Sequence, residues 1–167
     1  MLRHHTLNVM GNTMKTYKIN RISLTIIHCL TPLLFGGILY ILFRSTELRM
    51  FKWFSIIEID NIIYLARTEF YQIRNILPDW VYYSLPDGLW VYSFTSALII
   101  YWHNDVNNVK FWLIIPFVTG IITELLQGFN MFPGTFDFID LTFCALGISL
   151  SKIFLNHKFK QNEKKVC

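Results

Sequence analysis

Five residues in the second half of the chain have the chemistry to build a polar site: Asp87, Glu124, Gln127, Asp137 and Asp140. Each lies in or beside an apolar run, where ionisable groups are costly and seldom face lipid. Glu124 and Gln127 are three residues apart and share one face of a helix. Carboxylate and amide oxygens together suit three uses. They can ligate a divalent cation such as Ca²⁺ or Mg²⁺. They can supply acid and base for hydrolysis of a lipid-linked substrate. They can also hydrogen-bond a polar headgroup or a translocated solute. A fourth possibility is an internal ion-pair network, with Arg44, Arg67 or Arg74 folded over the acids, since arginine is the favoured partner of a buried carboxylate. No GxSxG, HExxH, Walker or Rossmann pattern accompanies them, so no residue is assigned a catalytic role. Nothing in the sequence calls for a cofactor.

The elements that must position these residues follow from composition. The 167 residues are 53% hydrophobic and 16% charged, against about 25% charged in soluble domains. Mean hydropathy is +0.40. This is the composition of a small integral membrane protein, and the expected fold class is all-α, a polytopic membrane helical bundle. The net charge of +4 is not read as a nucleic-acid signal, because the lysines flank apolar runs where anionic lipid headgroups attract them. Cys29, Cys144 and Cys167 are far apart, with no CxxC or Cys/His spacing, so neither a disulfide framework nor a zinc site is expected. The first two are read as packing residues.

A spanning helix needs about 20 apolar residues, and residues 22–43 carry no charge at all. Pro32 and Gly36-Gly37 lie inside this run, as membrane helices tolerate. Three further spans are expected at about 88–104, 111–132 and 138–155. Between 44 and 86, aromatic residues alternate with Arg49, Lys52, Glu58, Asp60, Arg67, Glu69 and Arg74. No stretch there is long enough to cross a bilayer, and the mixture suits an amphipathic helix lying in the interface. Residues 1–20 read as a disordered cytoplasmic segment, with Met14 ahead of Lys15, Lys18 and Arg21 as a plausible translation start. Residues 157–167 read as a basic, disordered cytoplasmic tail. His28 is read as a helix–helix hydrogen-bonding residue, and the glycine pair and Gly120 as sites of close helix contact.

Four spans put both termini on one side. The N-terminal segment through Arg21, the second connection and the C-terminal end from Lys152 onward hold ten Lys/Arg, the first connection five, and the Pro133-Gly134 turn none. The positive-inside rule then places both termini in the cytoplasm of a cell inner-membrane protein. Asp87, Asp137 and Asp140 fall at the outer face, and Glu124 lies near the outer end of the third span.

The order Glu124-x-x-Gln127, the Pro133-Gly134 turn, Asp137, then Asp140 with Cys144 and Gly147 resembles the core of VanZ-like membrane proteins. The resemblance covers the last two spans and extends through the LPDGLW turn from Leu85. It implies a small bacterial multi-pass bundle, residues 21–156, of a family in which some members are linked to glycopeptide (teicoplanin) resistance. Two departures stand out. Gly134-Thr135 stands where family members often carry arginine, and Cys144 where they often carry asparagine. The resulting expectation is an outer-face acidic site acting on a cell-envelope component, with membrane lipids, a lipid-linked envelope component or a divalent cation as partners and no nucleic acid. Alternatives are a small proton-coupled transporter or lipid flippase in which Glu124 carries the proton, a membrane enzyme acting on a lipid-linked phosphate, and a structural membrane subunit.

Overall fold

Pro32 sets the shape of the first helix. It has no N–H, and its ring collides with the carbonyl four residues back. The chain answers by widening at Ile26–Leu30 into a π-helical turn, in which the Thr31 N–H reaches the Ile26 carbonyl. The Thr31 hydroxyl donates to the same oxygen at 3.0 Å. Helicity is otherwise continuous, and α1 spans Arg21–Phe43. The computed structural model describes residues 21–102, 111–131 and 136–166, the last stretch with side chains as far as Phe159. The expectations for residues 1–20, for the second connection and for the Pro133-Gly134 turn lie outside the described residues.

Among the described residues the helices that follow are α2 (Arg49–Ile56), α3 (Asp60–Arg74), α4 (Asp79–Tyr82), α5 (Ser84–Tyr101), α6 (Ile114–Gly128) and α7 (Phe138–Val166). The described residues are all-helical, with no strand. The region expected to form one amphipathic helix is divided into α2 and α3, because the backbone leaves right-handed helical geometry at Glu58, whose φ of 58° lies in the left-handed region. Neither α2 nor α3 buries a single residue. α7 is longer than expected and carries the basic KFKQNEKK stretch as a helical extension rather than a disordered tail. α5 begins earlier than expected, which puts Asp87 inside its first turn.

α1 and the part of α7 from Phe138 to Phe159 are long and apolar enough to cross a membrane. In each, only 22% of the apolar window is buried within the chain. Leu34 is 63% exposed and Ile153 62%. α5 is less apolar for a positional reason. It is the central helix, packed against α1, α6 and α7, so its Ser93, Thr95 and Ser96 are buried between helices. The two serine hydroxyls join the bundle: Ser93 donates to the Cys29 carbonyl at 2.7 Å, and Ser96 pairs with Ser151 at 2.9 Å, while Thr95 Oγ1 is buried without a partner among the described residues. His28 Nδ1 lies 2.6 Å from the Tyr92 hydroxyl, the helix–helix bond expected of it. α6, at 15 residues, is about 22 Å long at a rise of roughly 1.5 Å per residue.

Candidate functional site

Two glycines decide which polar residues meet. A Cβ on Gly147 would stand 2.5 Å from the Gly88 carbonyl oxygen and 3.1 Å from the Tyr92 nitrogen, and one on Gly88 would stand 2.9 Å from the Phe143 carbonyl oxygen. The backbones of α5 and α7 therefore touch. The pairs 88 with 143, 92 with 147 and 96 with 151 keep one constant offset, so these two helices run parallel. α6 runs antiparallel to α7, since Gly120 lies against Cys144 and Gly128 against Phe136. That register sets Glu124 opposite Asp140. The N-terminal ends of α5 and α7 and the C-terminal ends of α1 and α6 thus gather at one end of the bundle. Asp87, Glu124 and Asp140, from three different helices, lie within electrostatic reach of one another.

The acids are held differently. Glu124 is buried, 6% exposed, and its Oε2 accepts the backbone N–H of Asp137 at 3.0 Å. Asp137 in turn accepts the Ile139 N–H at 2.8 Å, the bond of an N-cap residue to the first turn of α7. In a capping box, a glutamate of the same helix takes up the N-cap N–H; here Glu124 does so from the neighbouring helix. Two of the five expected site residues therefore fix the start of α7, a role not foreseen from the sequence. Asp140 Oδ1 is buried with no hydrogen-bond partner among the described residues. Asp87 stands 3.9 Å from Arg44 Nη2. Gln127 is half-buried and its side chain takes no part in these bonds.

The arginines only partly fulfil the expected pairing. Arg44 reaches Asp87, but among the described residues no carboxylate lies within ion-pair distance of Arg67 or Arg74. Arg67 instead clamps α3 onto the end of α1. Its Nη1 donates to the Ile41 carbonyl at 2.5 Å and its Nη2 to the Arg44 carbonyl at 2.7 Å, supplying donors to a helix end that lacks them. Burial, and then the charge of Arg74, draw the Arg67 pKa below its usual value. Each guanidinium rests on an aromatic face. Arg44 lies 5.3 Å from the Tyr40 centroid and 5.0 Å from that of Tyr83, Arg67 5.1 Å from Phe51, and Arg74 5.7 Å from Tyr82. The Tyr82 hydroxyl donates to the Asp79 carboxylate, which raises the phenol's pKa. The three arginines line one cavity of about 330 Å³.

Among the described residues, no arginine lies within ion-pair distance of Glu124 or Asp140. Among the described residues, no group of three His, Cys, Asp or Glu side chains has an arrangement that could hold a metal ion, so the geometry lends nothing to the cation-binding use. The arginine cavity went unforeseen because its members are 30 residues apart and polar residues of an amphipathic segment normally face water. For the contact of α5 with α7, by contrast, the sequence did carry a signal, the small-residue spacing Gly147-x-x-x-Ser151 on α7. Comparison with protein-family models, curated proteins and solved structures gives no match to this chain.

Proposed function

We propose that the chain is a four-span, VanZ-like membrane protein whose acidic site, opening to the outer face, engages a polar component of the cell envelope. The observation that carries the reading is the meeting of Asp87, Glu124 and Asp140 at one end of the bundle, with Asp140 Oδ1 buried and unpartnered. An unsatisfied buried carboxylate oxygen costs stability, and a donor from a bound molecule would remove that cost. The four-span reading is supported by the alternating directions of α1, α5, α6 and α7 and by the largely unburied apolar windows of α1 and α7. α2 and α3 then lie in the outer interface. Trp53 at 64% exposed and Ile62 at 68% are the residues such a helix dips into the acyl boundary.

The test expresses wild type and Asp140→Asn in a bacterial host and scores survival under a glycopeptide. Wild type is expected to raise tolerance, and D140N to insert at normal levels without doing so. Equal tolerance in both would refute the site. Labelling of Asp87→Cys and Asp137→Cys by an impermeant thiol reagent is expected from the same side of the membrane, and opposite sides would refute the arrangement.

A further inference from the structure

The arginine-lined cavity is not the acidic site, although Arg44 touches both. Its lining includes Arg44, Arg67, Arg74, Ser45, Thr46 and Tyr83, and no acidic residue. Three guanidiniums around about 330 Å³ repel one another, and among the described residues the one carboxylate within ion-pair distance of them meets Arg44 at 3.9 Å, the outer limit of an ion pair. Like charges are not gathered this way without compensation unless something else supplies it. Each guanidinium lies over an aromatic ring, a contact that takes up none of its N–H donors. Arg44 Nε is buried without a hydrogen-bond partner among the described residues. Arg67 commits two of its donors to carbonyls, out of the five a guanidinium carries. The hydroxyls of Ser45, Thr46 and Tyr83 add neutral donors.

Forked, planar, permanently charged donors match the oxygens of a phosphate group, which accepts several charge-assisted hydrogen bonds at once. We propose that this cavity is a binding site for a phosphate group, presented either by an anionic lipid headgroup or by phosphate in solution. The cavity lies where α1 ends and α3 docks, beside the exposed apolar residues of α3 such as Leu65, 64% exposed. A lipid whose chains cover that apolar surface would bring its headgroup to the arginines. The proposal rests on the membrane reading above only for the lipid as a source.

The full-length protein is purified into phosphatidylcholine nanodiscs as wild type, Arg74→Gln, Arg74→Lys and Asp140→Asn. One arm dopes the discs with phosphatidic acid and counts retained lipid by native mass spectrometry. The other titrates inorganic phosphate by calorimetry. Selective retention of phosphatidic acid that R74Q weakens by about tenfold or more, the worth of one hydrogen bond to a charged group, supports the headgroup source. Saturable phosphate binding with the same loss in R74Q supports the soluble source. R74K keeps the charge but not the fork and is expected to fall between. Helical content by circular dichroism shows whether R74Q is folded, and if it is not, R74K carries the comparison. Absence of binding in both arms, or binding unchanged in every Arg74 variant, overturns the proposal. D140N leaves the arginines in place and is expected to bind as wild type does. A failed acidic site thus appears in the survival assay alone, and a failed phosphate site in these arms alone.

Discussion

Replacing Gly147 by alanine tests the contact on which the site's geometry depends. The added Cβ would sit 2.5 Å from the Gly88 oxygen and 3.1 Å from the Tyr92 nitrogen, both backbone atoms. A flexible side chain could turn away, but backbone within a helix cannot. Restoring an ordinary contact of 3.4 Å requires α5 and α7 to separate locally by about 0.9 Å, an overpacking that costs roughly 1–3 kcal/mol. Alanine is the better helix former by about 1 kcal/mol, which sets the correct control. Gly37→Ala, on α1, meets nothing within 4 Å and is expected to be neutral or slightly stabilising. Separation at Gly147 also draws apart Ser96 and Ser151, 2.9 Å apart one turn further on. The assay is reversible unfolding in mixed micelles, comparing wild type, G147A and G37A. G37A is expected to lose no stability relative to wild type, and G147A to be about 1–3 kcal/mol less stable than G37A. If G147A is as stable as G37A, the close approach of α5 and α7 is wrong, and the meeting of Asp87 with Asp140 loses its basis.

Two further predictions concern the ends of the helices. Glu124→Ala strips the Asp137 N–H of its acceptor and should cost about 1 kcal/mol, the usual worth of a cap; Glu124→Gln retains an acceptor oxygen and should cost less. Hydrogen exchange at Asp137 and Ile139 reads the difference, and equal protection in wild type and E124A would count against the bond. Arg67→Met keeps much of the packing volume but loses both carbonyl bonds, so α3 should release from α1 with a loss of about 2 kcal/mol. Limited proteolysis across residues 44–74 should then accelerate several-fold in R67M, and an unchanged rate would show that α3 is held by other contacts.

The helical class, the long first and last helices and the amphipathic character of residues 49–74 were legible from composition and periodicity, because burial preference and period are properties of short stretches of chain. So was the partnership of His28 with another helix, since a ring nitrogen at that depth needs a donor or acceptor. Which acids meet was only partly legible. The expected level of Asp87, Glu124 and Asp140 followed from counting residues along spans, but their adjacency depends on Gly88 and Gly147 bringing two backbones into contact. The division of labour among the polar residues was not legible at all. Glu124 and Asp137 cap a helix, Arg67 binds carbonyls, and Arg44, Arg67 and Arg74 surround a cavity. One side chain can serve as cap, ion-pair partner or ligand donor with the same local spacing. Only the packed arrangement, which fixes the donor or acceptor that each group can reach, selects among them.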